Sequence, residues 1–226
     1  MKRTFRNMLI ASACLTIYGC NKQAPELSRE EQFNQDEERK VFEATHMTRI
    51  YKGKTQEEVI IAAEKLLTLS DPKDTKFIHN KNGFLANRSW LWYAILTADS
   101  GIDKWEVHTE EQSNNSIKMT VTLNTGGVNY GDNSIYAIGE GITFAGRKKM
   151  TQPELFQNRK DLYSLFWKRM DYLLGKTQTW TTCEDFKNQL GLNKLHQEEK
   201  VKKGNKLNPL CGSLSADKLP EELRNS

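Results

Sequence analysis

The clearest periodic pattern in the chain is a strict alternation of apolar and polar residues over 117–124. A strand turns successive side chains to opposite faces, so one apolar set is expected on a buried sheet face, with water on the other. That set is Ile117, Met119, Val121 and Leu123. Shorter apolar or alternating segments predict further strands at residues 40–51, 74–79, 84–97, 105–107 and 134–145.

Glycine-containing dipeptides divide these segments. Turns are predicted at Asn82-Gly83, Ser100-Gly101 and Gly126-Gly127, of which the first is a strong hairpin signal. A meander of four or five antiparallel strands is therefore expected after the first strand.

Two helices are predicted by a Thr-x-x-Glu capping box followed by an apolar stripe. The first box is Thr55 to Glu58, and Asp71-Pro72 ends that helix. The second box begins at Thr151, and Gly175 suits the position after the helix. The expected stripes are Val59, Ala62, Ala63, Leu66 and Leu67 in the first, and Leu155, Leu162, Tyr163, Phe166, Met170, Leu173 and Leu174 in the second. A short third helix is predicted over 182–190, ending at Gly191.

These elements predict an α+β domain over 39–175, in which an antiparallel sheet of about five strands is packed by two helices. Their order resembles the helix-grip or TATA-binding-protein-like layout of some envelope lipoproteins. The resemblance covers residues 40–175 and concerns element order alone.

The N-terminus has the pattern of a secretory signal peptide over 1–19. Lys2, Arg3 and Arg6 precede an uncharged apolar stretch over 8–18, which is too short to span a bilayer stably. Gly19 and Cys20 then follow, and they resemble the lipobox of bacterial lipoproteins, with Ile17 fitting the pattern and Tyr18 departing from it.

The lipoprotein resemblance implies that the chain is cut before Cys20 and that Cys20 carries acyl chains, including palmitate. An ordinary secreted protein, cut near Gly19, is the alternative, and Cys14 is a rival lipidation site. Asn21 after the cysteine favours, by the same resemblance, the outer membrane, with the domain facing the periplasm. Residues 20–38 are polar and acidic and are expected to form a flexible tether.

Cys183 and Cys211 remain after processing, and in an oxidising compartment they are expected to pair. The bond would pin a polar C-terminal extension over 176–226. Free or redox-active thiols are the alternative, although the chain has no C-x-x-C motif.

No pattern of residues indicates catalysis, a metal site or a cofactor. His46, His79, His108 and His196 are scattered, and neither a Gly-x-Ser-x-Gly nor a phosphate-binding glycine motif is present. The net charge of +4 falls largely on the predicted signal, so no nucleic-acid partner is expected.

Trp90, Trp92 and Tyr93 form an unusual aromatic segment. Alternation places Trp90 and Trp92 on one face and Tyr93 on the other. These side chains belong either to the core or to an exposed strip that binds a partner, since Trp and Tyr anchor interfaces well.

The sequence therefore favours a non-enzymatic, lipid-anchored binding or scaffold protein of the cell envelope, with an envelope protein as partner. A binder of lipid or small molecules is one alternative, and a periplasmic immunity or inhibitor protein is another.

Overall fold

The computed structural model describes residues 29–94, 97–130, 135–138, 141–144, 159–197, 199 and 206–212. The helices are α1 (Arg29–Phe42), α2 (Gln56–Ser70), α3 (Lys160–Leu173), α4 (Cys183–Gln189) and α5 (Asn208–Cys211). The strands are β1 (Thr48–Lys52), β2 (Thr75–Asn80), β3 (Gly83–Ala94), β4 (Thr97–Gln112), β5 (Ser116–Tyr130), β6 (Ile135–Ile138) and β7 (Gly141–Phe144).

Strands β1 to β5 form one antiparallel sheet in the order β1-β5-β4-β3-β2. The predicted α+β fold, with about five antiparallel strands packed by helices, is confirmed. β1 pairs only with residues 116–120 of β5, and β2 pairs only with residues 83–88 of β3. The three central strands are therefore longer than the two strands that flank them.

The core lies between one face of this sheet and helices α2 and α3. The predicted alternation is confirmed, because Ile117, Met119, Val121 and Leu123 are all buried on that face. Trp105 of β4 stacks on Phe166 of α3, with ring centroids 5.6 Å apart. Burying this much apolar surface supplies the main stabilisation of the fold.

The predicted helix signals are confirmed where the structure describes them. Thr55 accepts a hydrogen bond from the Glu58 amide, and the Glu58 carboxylate accepts one from the Thr55 amide, which completes the capping box. Gly175 has a φ of 73° directly after α3, a conformation that favours glycine. The short helix α4 begins after Thr182, whose hydroxyl accepts from the Asp185 amide.

The prediction of a first strand over 40–51 is wrong for most of that segment. Helix α1 continues to Phe42, a π-helical turn follows over Glu43–Met47, and only Thr48–Lys52 is extended. Phe42 and Met47 are buried in the core, so tertiary packing holds this segment helical. Residues 29–38, which were assigned to the tether, also belong to α1.

Two predicted glycine turns are wrong, because they lie within long strands. Gly101 of β4 pairs with Trp90 on one side and with Gly127 of β5 on the other. Cross-strand pairing therefore overrides the local turn preference of these glycines. The first predicted turn is confirmed with a shift of one residue, since Asn80 pairs with Gly83 across Lys81 and Asn82.

The predicted strand over 134–145 is instead two short strands, β6 and β7, which pair with each other in a separate sheet. The second capping box, over 151–154, and Leu155 lie outside the described residues, as do the predicted signal peptide and Cys20.

Candidate partner-binding surface

The aromatic segment lies at the far end of β3, beyond the last buried row of the sheet. That row joins Arg88, Asp103 and Thr125 across β3, β4 and β5, with Arg88 and Asp103 buried and Thr125 half-buried. In the next row on the same face of the sheet Trp90 pairs with Gly101, and Trp90 is half-buried rather than part of the core. Trp92 and Tyr93 continue the same strand, but their side chains lie outside the described part of the structure.

We use the word ribbon for this extension of the sheet, formed by residues 89–94 of β3, 97–102 of β4 and 126–130 of β5. The prediction made above concerns only Trp90, Trp92 and Tyr93 of this ribbon, either as core residues or as an exposed strip that binds a partner. On the ribbon's other face, away from the helices, Leu91 and Ile102 are 55% and 52% exposed. Leu91 pairs with Ser100 and Ser89 pairs with Ile102, so these two apolar side chains are diagonal neighbours.

A buried ion pair closes the core beneath the ribbon. The Arg88 Nε and Nη2 atoms donate to Oδ2 of Asp103 at 3.1 and 2.6 Å. The Arg88 Nη1 donates to the Asn208 carbonyl oxygen at 2.9 Å, and Oδ2 of Asp71 lies 3.9 Å away. Buried charges are tolerated only when paired and hydrogen-bonded in this way. The pair therefore joins the ribbon's base to the C-terminal segment.

The free edge of β5 is closed by side chains where β1 no longer covers it. The Leu123 amide donates to the Tyr163 hydroxyl at 3.1 Å, and Arg159 Nη1 donates to the Leu123 carbonyl at 3.3 Å. Burial raises the pKa of Tyr163 to about 12, which keeps this hydroxyl neutral. Helix α3 thus satisfies backbone groups that would otherwise face a missing strand.

The variant Tyr163→Phe is expected to lower the free energy of unfolding by about 1–3 kcal/mol, because it leaves the Leu123 amide buried without an acceptor. Urea denaturation would measure the change. Tyr51→Phe is the matched control, since the Tyr51 hydroxyl is buried without a hydrogen-bond partner among the described residues. An equal loss of unfolding free energy in both variants would contradict the stabilising role given to the Tyr163–Leu123 hydrogen bond.

Tyr163→Phe should also change how the free energy of unfolding depends on pH in the alkaline range. The folded pKa of Tyr163 lies above the ordinary value of about 10. The contribution of Tyr163 to the free energy of unfolding is therefore fully present below pH 10 and is lost as pH rises toward 12. Tyr163→Phe should lose less stability across that interval than the unmodified protein.

The predicted disulfide between Cys183 and Cys211 is present, with Cα atoms 5.9 Å apart. It joins α4 to α5, and Leu207 and Leu210 beside it are buried in the core. Residues 207–211 are therefore part of the packed domain rather than a polar appendage.

Arg169 of α3 supports this junction, although no sequence motif marks it. Its guanidinium donates to the carbonyl oxygens of Thr181 and Leu210, each at 3.1 Å, and to Sγ of Cys183 at 3.1 Å. Its guanidinium carbon also lies 4.7 Å from the ring centroid of Trp180. The inward position of Arg169 on the helix, within the apolar stripe, was the only available signal.

A second polar cluster joins β1 to α3. Arg49 Nη1 donates to Oδ2 of Asp171 at 2.6 Å and lies against the Trp167 ring. The Lys176 ammonium lies 4.3 Å from the ring centroid of Tyr51, and burial raises the pKa of Tyr51. These groups pack against one another and against the core, so we interpret them as stabilising the fold.

His46, His79 and His108 lie in separate places. The His46 carbonyl accepts from Trp167, His79 pairs with Glu64, and His108 lies 3.5 Å from Glu110. Within the described ranges, His, Cys, Asp and Glu side chains form no group of three that could hold a metal ion.

None of the helices in the described part of the chain is long and apolar enough to cross a bilayer. Comparisons with protein-family models, with curated proteins and with solved structures found no significant match to this chain.

Proposed function

We propose that this protein is a lipid-anchored binding or scaffold component of the bacterial cell envelope, without enzymatic activity, and that the ribbon is its partner-binding surface. The observation that supports binding is the exposed apolar pair Leu91 and Ile102 on one face of the ribbon, beyond the end of the core, with the half-buried Trp90 on the opposite face. Exposed apolar side chains that lie next to one another are typical of interaction surfaces.

The anchoring part of the proposal is supported by the signal pattern of residues 1–19 and by Cys20 after Gly19. Attached acyl chains would hold the domain at a membrane surface, with each buried methylene contributing about 0.8 kcal/mol. The disulfide agrees with an oxidising compartment such as the periplasm. The outer-membrane location and the helix-grip resemblance remain predictions.

The core gives no support to the alternative of a lipid or small-molecule binder. The space between the sheet and α3 contains Trp105 stacked on Phe166, with Trp167 packed edge-on against Phe166 at 5.0 Å. Helix α2 contributes the buried Leu66 to the same core. An immunity or inhibitor protein would use the ribbon in the same way and would differ in its partner.

The variant Cys20→Ser is expected to fold normally and to move from the membrane fraction to the soluble fraction, because it cannot be acylated. Fractionation of cells followed by immunoblotting would measure the distribution, and mass spectrometry of the N-terminus would show the lipid. Cys14→Ser is the matched control and should stay with the membrane. Retention of Cys20→Ser in the membrane fraction would refute the anchor.

A further inference from the structure

We infer that the edge of β3 over residues 89–94 binds an uncharged, extended segment of a partner protein as an additional β-strand. The inference rests on the proposed function in taking the ribbon as the binding surface, and it specifies how the partner binds. It is based on the backbone register, on the charges along each edge and on the two exposed side chains beside the edge.

Within the described part of the chain, the register leaves this part of β3 without a neighbouring strand on one side. β2 begins at Thr75, opposite Arg88, and the last contact is the Ser89 amide donating to the Asp74 carbonyl at 3.4 Å. Main-chain groups of an antiparallel strand alternate in direction, so those of Leu91 and Tyr93 point the same way as those of Ser89. No strand among the described residues pairs with them.

The other edges of the five-stranded sheet, apart from β5 beyond Leu123, are protected in ways that this edge is not. β1 is a five-residue strand that carries Arg49 and Lys52, and β2 carries Lys76. β5 is closed at Leu123 by Tyr163 and Arg159. Short length, charged residues and covering side chains are the usual protections of an exposed edge. Residues 89–97, by contrast, contain no charge and no proline.

The edge of β5 beyond Leu123 is also uncharged, but its composition suits strand addition less well. Gly126 and Gly127 lie at its centre, and glycine weakens strand pairing. Residues 90–93 of β3 are Trp, Leu, Trp and Tyr, and aromatic residues favour strand pairing. The β3 edge is therefore the better template.

The side chains beside the edge define the chemistry of the occupant. Trp90 lies half-buried on the helix-facing side of the sheet, and Leu91 is 55% exposed on the other side. An added strand would place its own side chains alternately beside these two residues. The occupant that fits is an extended peptide with uncharged, β-prone side chains on both faces, bound by main-chain hydrogen bonds.

A capped, fluorescent hexapeptide of alternating Val and Thr is a direct probe of this edge, used with the full chain carrying Cys20→Ser. We expect fluorescence anisotropy to show binding, and hydrogen exchange to slow at the amides of Leu91 and Tyr93. The same peptide with alternate amides N-methylated should not bind, because it cannot form the ladder. Absence of binding, or binding without protection of these amides, would overturn the inference.

Variants separate the edge from the rest of the surface. Leu91→Pro removes an outward amide without breaking the β3–β4 ladder, and should weaken peptide binding about fivefold, the worth of one hydrogen bond. Leu91→Lys keeps the amide, adds a charge to the edge and should also weaken binding. Ile78→Lys is the matched control, since Ile78 is 60% exposed on the same sheet face but lies on β2. Equal binding by Leu91→Lys and Ile78→Lys would overturn the inference, even if Leu91→Pro fails to fold.

Two further measurements test other occupants. Sedimentation that shows a dimer without peptide, converted to monomer by Leu91→Lys, would assign the edge to a second copy of this chain and overturn the inference. Binding of the Cys20→Ser chain to phosphatidylcholine vesicles, lost in Leu91→Lys, together with no peptide binding, would assign it to a lipid surface instead. If the lipid-anchor proposal is wrong, only the fractionation of Cys20→Ser would show it. The result of the peptide experiment does not depend on the anchor.

Discussion

Asp103→Ala is expected to lower the free energy of unfolding by about 3–5 kcal/mol, because it leaves the buried Arg88 guanidinium with only the more distant Asp71 carboxylate, 3.9 Å away. Asp103 and Arg88 are only 1% and 5% exposed, so water cannot replace the lost partner. Urea denaturation followed by tryptophan fluorescence would measure the change. Since Arg88 also donates to the Asn208 carbonyl, the loss should loosen the C-terminal segment and the base of the ribbon together.

Two controls make this result specific. Glu110→Ala breaks the exposed pair with Lys118 and should leave stability unchanged, since exposed ion pairs contribute little. The double variant Arg88→Met with Asp103→Leu should be less destabilised than Asp103→Ala, because the buried guanidinium is removed together with its closest carboxylate. Wild-type stability of Asp103→Ala would contradict the role given to this pair.

Replacing both Cys183 and Cys211 by Ala is expected to lower the free energy of unfolding by about 3–4 kcal/mol. The bond joins positions 28 residues apart, and releasing a loop of that size increases the entropy of the unfolded chain. The bond also holds Leu207 and Leu210 in the core, so the variant should expose the segment to proteolysis before the sheet unfolds.

Chemical reduction of the unmodified protein provides the control for the disulfide. Reduced wild type and the double alanine variant should show the same loss of stability in urea, whereas the variant should not respond to reductant. Stability of the variant equal to that of the oxidised protein would show that packing by Arg169 and Leu210 suffices without the bond.

The edge of β3 over residues 89–94, which no strand among the described residues pairs with, also predicts how the protein behaves during folding and storage. An uncharged aromatic strand without a neighbour is a template for aggregation when its partner is absent. Leu91→Lys is therefore expected to be more soluble than the unmodified chain, an effect that accompanies the loss of peptide binding proposed above.

The sequence by itself determined the features that depend on neighbours along the chain. The Thr55–Glu58 capping box, the apolar stripe of α3 with Gly175 after it, and the alternation over 117–123 are local periodicities, and each predicted its element. The pairing of Cys183 with Cys211 was predicted on the expectation that Cys14 is cleaved off and Cys20 is acylated, which would leave no other partner, and the disulfide is present. Together these features defined the α+β class before any tertiary contact was known.

Only the tertiary structure decided the features that depend on residues distant in the chain. Gly101 and Gly127 look like turn residues, but pairing across three strands makes them extended. Burial of Phe42 and Met47 against the core keeps residues 40–47 helical, where local preference indicated a strand. The Arg88–Asp103 pair, and the part of the β3 edge that no described strand covers, follow from the strand order and from where β2 stops. The physical reason is that cross-strand register and burial depend on the arrangement of the whole sheet, which local patterns do not contain.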